Sequence, residues 1–146
     1  MKKTAIILVL MVAGLFVACD STQNVTDVVG NVQLSGTYDV TAIDGNQVPA
    51  NKQNLTFNAL DTSINGNGGC NTFFGDYTLN AGNLSFAELA TTKKMCDKAT
   101  MEREEALLEA LNNTGSYRIY QGTLTLYGTD QSVLLSAKKR AQNEEQ

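Results

Sequence analysis

Three cysteines and no histidine bound the chemistry open to this 146-residue chain. Cys70 lies in NGNGGCNTFFGDY, residues 65 to 77, and Cys96 ends the stretch TTKKMC. A cysteine nucleophile needs a base beside it, and without His a Cys–His pair is impossible. Zinc takes four Cys, His or carboxylate ligands, which two cysteines without His do not approach, so no metal is expected. The CxxC redox spacing is absent. Neither GxGxxG nor GxxxxGK[ST] occurs, so Gly66, Gly68 and Gly69 read as turn and bulge glycines, not a phosphate cradle, and no cofactor is expected. Two possibilities remain for Cys70 and Cys96: a structural disulfide or a pair of buried thiols.

The other candidates are weaker. Asn71 suits a turn, because its side chain bonds nearby backbone. Asp76 and Glu88 fall near one hairpin as a potential carboxylate pair, but isolated acids on strand faces are ordinarily solvated. Lys93 and Lys94 form a small cationic corner.

The first 19 residues belong to a different problem. MKKTAIILVLMVAGLFVAC has Lys2 and Lys3, an apolar run from Thr4 to Ala18, and then Cys19. That run is shorter than the roughly 20 residues of a spanning helix, and the basic start marks a secretory signal. Phe16-Val17-Ala18-Cys19 resembles a bacterial lipobox, with Phe where Leu is usual at the first position. It makes Cys19 the lipidation site and the first mature residue. The remaining cysteines are then an even pair in an exported chain, where oxidising conditions favour a bridge. Loss of Lys2 and Lys3 leaves nine basic against 15 acidic residues, a net charge of −6. That balance opposes nucleic-acid binding, which needs clustered cations to neutralise phosphates. Lys138, Lys139 and Arg140 do cluster, but Glu144 and Glu145 follow.

Composition and periodicity then say what must position the cysteines. Apolar residues make up 42% and charged residues 18%, with 12 Gly and one Pro, which describes one globular domain of short strands and tight turns. TYDVTAI, NLTFN, TFFGDYTL, LSFAEL, YRIY, LTLYG and SVLLS each place apolar residues two apart, as on one face of a sheet. DGN, NAGN and QG mark turns. Gly75 interrupts its strand's alternation, which predicts a bulge or a close backbone approach. Residues 100 to 113, TMEREEALLEALNN, read as the sole helix of the mature domain. Asp97 or Thr100 caps it, Met101, Leu108 and Leu111 form its apolar stripe beside Leu107, and Glu102, Glu104 and Glu105 favour its positive end. Residues 20 to 33 lack a period and read as a tether. The expected division is a signal segment 1–18, lipidated Cys19 with a tether to 33, a domain 34–138, and a charged tail 139–146.

This pattern sets a geometric condition on the disulfide. With a turn at 80–83, Leu79 faces Leu84 and Cys70 faces Lys93, three residues short of Cys96. Three residues along a strand is about 10 Å, beyond the roughly 7 Å Cα limit for a bridge. Residues 90 to 96 must therefore leave the sheet and curl back if the two cysteines join. A bridge of this span contributes on the order of 3 kcal/mol.

GGCNTFFGDYTL, then LSFAELATTKKMC, an acidic helix and LTLYG together resemble the META domain of HslJ-like lipoproteins. The residues that carry the resemblance are Gly69, Cys70, Asn71, Phe73, Phe74, Gly75, Tyr77, Thr92, Met95 and Cys96, and it spans about residues 34 to 137. Tyr38 stands where the family often has Trp, implying looser packing there. Lys94 stands where an apolar residue is common, implying a stretch nearer solvent. The resemblance implies an α+β, mostly β domain: a curled, half-barrel-like antiparallel sheet with one packed helix. It also implies the bacterial envelope and a link to stress tolerance, and it supplies no catalytic role.

The functional expectation is a monomeric, non-enzymatic lipoprotein, membrane-anchored through Cys19, facing periplasm or cell surface and binding an envelope protein or component. The alternative is a carrier that holds a small apolar ligand inside the curled sheet, lined by Phe57, Phe74, Phe86 and Tyr117.

Overall fold

The computed structural model describes residues 22–141. The signal segment, Cys19 with its lipobox, and Glu144 and Glu145 lie outside that range. Ten strands and two helices make up the described residues, and the fold is mostly β. Helix α1, Thr22–Leu34, leads into β1 (Gly36–Ile43), the short β2 (Asn46–Gln47), β3 (Asn54–Asn58), β4 (Ser63–Asn67) and β5 (Thr72–Asn80). Then come β6 (Asn83–Phe86), the short β7 (Ala90–Thr91), helix α2 (Lys98–Asn112), β8 (Thr114–Tyr120), β9 (Thr123–Gly128) and β10 (Val133–Lys139).

Every pairing is antiparallel, in the order β10-β9-β8-β6-β5-β4-β3-β1, and β1 also pairs with β10. The sheet is thus closed, going beyond the expected half-barrel. Closure removes the exposed edges that a curled sheet would leave open. The thinnest seam is β6 to β8, with one register pair, Asn83 with Ser116. Three two-residue turns carry positive φ at both central positions, Asp44-Gly45, Ala81-Gly82 and Gln121-Gly122, the primed type that matches strand twist. The turn at 80–83 puts Leu79 opposite Leu84, as the spacing requires.

Inward residues of the strands form one core with both helices. Tyr38, Leu55, Phe57, Ile64, Phe73, Leu84, Leu124, Leu126 and Leu135 are buried, together with Leu34 of α1 and Leu107 and Leu111 of α2. Phe57 is central: Tyr38 meets it edge-on at 6.0 Å and Tyr77 at 5.5 Å. Tyr38 is fully buried with Lys139 Nζ 5.5 Å over its ring, so the looser packing expected where the family has Trp does not occur.

Three elements differ from the sequence expectation. Residues 22–33, read as tether, form α1 together with Leu34, so the expectation of a single helix is corrected. Its valines misdirect: Val28, Val29 and Val32 are exposed, while Gly30 and Leu34 face inward. A Cβ on Gly30 would lie 2.7 Å from Leu79 Cδ2, so glycine is what lets α1 seat. Asp27 Oδ1 accepts from the Ala81 N–H at 2.8 Å, which ties α1 to the β5–β6 turn. Strand β4, SINGN, is masked in sequence by its glycine; a Cβ at Gly66 would collide with the Asn54 carbonyl oxygen and lie 2.6 Å from the Phe73 ring, so backbone and ring together occupy the room a side chain would take. The inward stripe of α2 is Glu104, Leu107, Ala110 and Leu111, rotated from the expected Met101, Leu108 and Leu111. Asp97 caps α2, accepting from the Thr100 N–H at 3.0 Å. At Gly75 the β4–β5 register runs unbroken and a Cβ would lie 2.8 Å from Leu89 Cδ2, so this glycine permits a close approach rather than a bulge.

Burial raises the Tyr38 hydroxyl from 10.0 to about 12, with the Tyr117 phenol adding to the shift. Tyr77 and Tyr117 are also raised, each by burial first and then by a nearby acid, Asp61 and Asp27 respectively. A phenol whose folded value exceeds its unfolded value stabilises the protein below the unfolded value and loses that contribution as pH rises through the folded one. Thermal stability is therefore expected to hold up to about pH 10 and to fall between pH 10 and 12, in step with phenolate absorbance. Tyrosines ionising at an ordinary value with no change in melting temperature would contradict this.

Candidate functional site

The motif residues converge at one end of β5, where the β4–β5 turn meets the N-terminal half of α2. Asn67 Oδ1 accepts from the Gly69 N–H at 2.7 Å, and the Gly68 N–H donates to the Asn71 carbonyl at 2.7 Å. Gly69 takes φ +111°, a region that side chains strain to reach. This curl points two successive backbone N–H groups at Glu104, a carboxylate that the sequence places near the positive end of α2. Glu104 is 6% exposed. Its Oε2 accepts from the N–H of Cys70 at 3.1 Å and of Asn71 at 2.5 Å, and its Oε1 accepts from Asn71 Nδ2 at 2.7 Å. A Cβ on Gly68 would lie 2.7 Å from Glu104 Cγ, so Gly68 makes the space the carboxylate fills. Cys70 sits among glycines chiefly for this reason.

Asn71 relays the contact to the next segment. Its Oδ1 accepts from Thr92 Oγ1 at 2.8 Å and from the Lys94 N–H at 2.7 Å, and Nδ2 also reaches the Lys94 carbonyl at 3.3 Å. Thr92 exchanges contacts with Thr72: its N–H donates to the Thr72 carbonyl at 3.1 Å, and its Oγ1 accepts from the Thr72 N–H at 3.3 Å. Residues beyond β7 thus leave the sheet and curl back over Asn71, as a bridge requires. Cys70 and Cys96 form a disulfide with Cα atoms 5.9 Å apart. Cys70 Sγ also lies 3.6 Å from the Lys94 carbonyl; a bridged sulfur has no proton, so this is a packing contact.

Gly69, Cys70, Asn71, Thr92 and Cys96 therefore form one cluster, and Glu104 is its missing member. The signal for Glu104 was available: it precedes Leu107 by three and Leu111 by seven, the spacing of a helix face that is buried. The other motif residues lie elsewhere. Gly75 admits Leu89, which packs against the core, and Tyr77 is buried in the core with its hydroxyl 3.4 Å from the Asn58 carbonyl. Met95 is 89% exposed and makes no part of the cluster. Asp76 and Glu88 are exposed and share no hydrogen bond among the described residues, while Lys94 contributes its backbone and leaves its exposed ammonium outside. Of the residues proposed to line a ligand cavity, Phe57 is in the core and Phe86 and Tyr117 pack against it. Phe74 is 58% exposed on the opposite face. Among the described residues no group of three or more His, Cys, Asp or Glu is placed to hold a metal.

Chemically the cluster is a clamp. All three hydrogen-bond donors of Asn71 and both oxygens of Glu104 are engaged within the protein, so the carboxylate satisfies buried N–H groups that would otherwise be unpaired.

The META domain family model matches residues 31–141. The chain belongs to the META domain family. The match takes in the last turn of α1, the whole barrel and the clamp. No curated protein sequence matches the chain. Among solved structures it is similar to a protein determined by NMR at 25% identity, with TM-score 0.60, covering 75% of this chain and 93% of that one. A protein from Burkholderia xenovorans, also determined by NMR, aligns at 21% identity and TM-score 0.61 over 86% of this chain and 94% of its own. A crystal structure of a DUF4847 family protein from Bacteroides vulgatus aligns at 18% identity and TM-score 0.56 over 79% and 99%. The last two establish the META domain's barrel as a shared fold.

Proposed function

We propose that this META domain chain is a lipid-anchored protein of the bacterial envelope, non-enzymatic, which binds an envelope protein or component and supports stress tolerance. The observation that carries the reading is the partition of its three cysteines. Cys19 closes a lipobox-like sequence, and the other two are joined in a disulfide suited to an oxidising compartment. The polar cluster of the domain supports a structural role for the family motif, since its hydrogen-bonding groups are consumed internally. Among the described residues no helix is long and apolar enough to cross a membrane.

The test separates anchor from domain. Two or more acyl chains hold a protein stably on a bilayer, each buried CH₂ contributing about 0.8 kcal/mol. Cys19→Ser is expected to move the protein from the membrane to the soluble fraction with its melting temperature unchanged. Retention of the Cys19→Ser protein in washed membranes would refute the anchor. Crosslinking in the native envelope addresses the partner; absence of any crosslinked species under stress conditions would count against the interaction role.

A further inference from the structure

The outward face of β8, β9 and β10 has a composition that neither the core nor the clamp explains. Arg118 and Tyr120 point outward from β8, Thr123, Thr125 and Tyr127 from β9, and Lys138 from β10; together they line a shallow, open concavity of about 470 Å³. The register fixes their layout. Arg118 is opposite Thr125, Tyr120 is opposite Thr123, and Thr123 is opposite Lys138. The two cations thus stand two strands and two residues apart, about 12 Å, with hydroxyls between them and a tyrosine to either side. Tyr120 is 68% exposed.

The charge of this face opposes that of the whole chain, which carries −4. None of the three strands contains Asp or Glu. Of the flanking acids, Asp39, opposite Lys138, is held by the Arg140 guanidinium, while Asp130 keeps its charge in the β9–β10 turn, where its Oδ1 accepts from Ser132. Arg118 and Lys138 make no ion pair among the described residues. An isolated cationic face on an acidic domain selects an anionic partner.

The geometry points to an acidic oligosaccharide, one bearing carboxylates spaced along a chain of pyranose rings, as the ligand of this face; the assignment deepens the interaction role proposed above and rests on it. Sugar rings offer C–H faces that pack on exposed Tyr120 and half-buried Tyr127 and hydroxyls that meet Thr123 and Thr125, while Arg118 and Lys138 take carboxylates at separate rings. A lipid surface fits less well, because adhesion through headgroups takes clusters of four to eight cations, and the concavity is lined by two. Single-stranded nucleic acid needs phosphates neutralised along the strand, which two cations on an acidic protein do not provide.

The experiment is calorimetric titration of the full-length chain, in zwitterionic detergent micelles, with oligogalacturonate, its methyl ester and oligothymidylate. Oligogalacturonate is expected to bind and the methyl ester to bind at least about tenfold more weakly, the scale of a lost charge-assisted contact. R118Q/K138Q and Tyr120→Ala, all at exposed positions, are expected to weaken binding at least about tenfold with melting temperature unchanged. Equal binding of acid and ester, no effect of these variants, tighter binding of oligothymidylate, or no binding of oligogalacturonate would each overturn the assignment. If oligogalacturonate fails while native-envelope crosslinking still yields a partner, the glycan is excluded and the interaction role stands.

Discussion

Glu104→Ala is expected to destabilise the domain by about 3–5 kcal/mol, among the larger effects a single substitution can produce here. The magnitude follows from what the carboxylate satisfies. Its oxygens accept from the N–H groups of Cys70 and Asn71 and from the Asn71 amide, all at the buried end of the β4–β5 turn. Removing the acceptor leaves these donors unpaired, and each such buried group costs about 1–3 kcal/mol. Gly68 cannot compensate, since it has no side chain to fill the vacated space. Glu104→Gln keeps one acceptor but turns an NH₂ group toward donors, so a loss of about 2 kcal/mol is expected, smaller than for Ala. Denaturant midpoints at fixed slope measure both. A loss under about 0.5 kcal/mol for Glu104→Ala, the scale of ordinary surface substitutions, would show that the clamp carries no stability.

The same residue shows where sequence reading stops. Strands with apolar residues two apart were legible, because alternation is enforced by the pleat itself, and the turn chemistry of DGN, NAGN and QG fixed three hairpins. The register Leu79 with Leu84 followed from one of them and stated the condition for the disulfide, that residues 90 to 96 leave the sheet; the departure comes two residues later, because Ala90 and Thr91 stay paired with β5 as β7. What stayed illegible depends on partners far away in the chain. Gly66 is glycine because the Asn54 carbonyl and the Phe73 ring stand where its side chain would, and Gly68 is glycine because Glu104 does. The glycine-rich composition registered as looseness, whereas its cause is crowding. Helix α1 was missed for the opposite reason: its exposed valines are poor helix formers, and the inward position Gly30 carries no hydrophobic signal. Closure of β1 on β10 has no local signature, because it is a consequence of total strand number and tilt.

Loss of the disulfide tests whether cluster and bridge are one device. Cys70→Ala/Cys96→Ala is expected to lower stability by about 3 kcal/mol, the loop-closure contribution for cysteines 26 apart. The barrel should survive, since its core packs independently of residues 92–97, which are exposed. The segment that comes loose is the one whose Thr92 hydroxyl and Lys94 backbone bind Asn71, the residue that also donates to Glu104. Once it has detached, water reaches Asn71 and Glu104, and the carboxylate no longer satisfies wholly buried donors. Glu104→Ala in the bridgeless background should then cost less than in the parent, giving a coupling of about 1–2 kcal/mol in a double-mutant cycle. Two independent structural features would instead add to within about 0.5 kcal/mol. Strict additivity would mean that the glycine turn is held by α2 alone and that the bridge staples a loop with no part in it. A coupling of the expected sign would explain why one motif contains both cysteines and the asparagine: the bridge keeps dry the hydrogen bonds that seat the helix on the barrel.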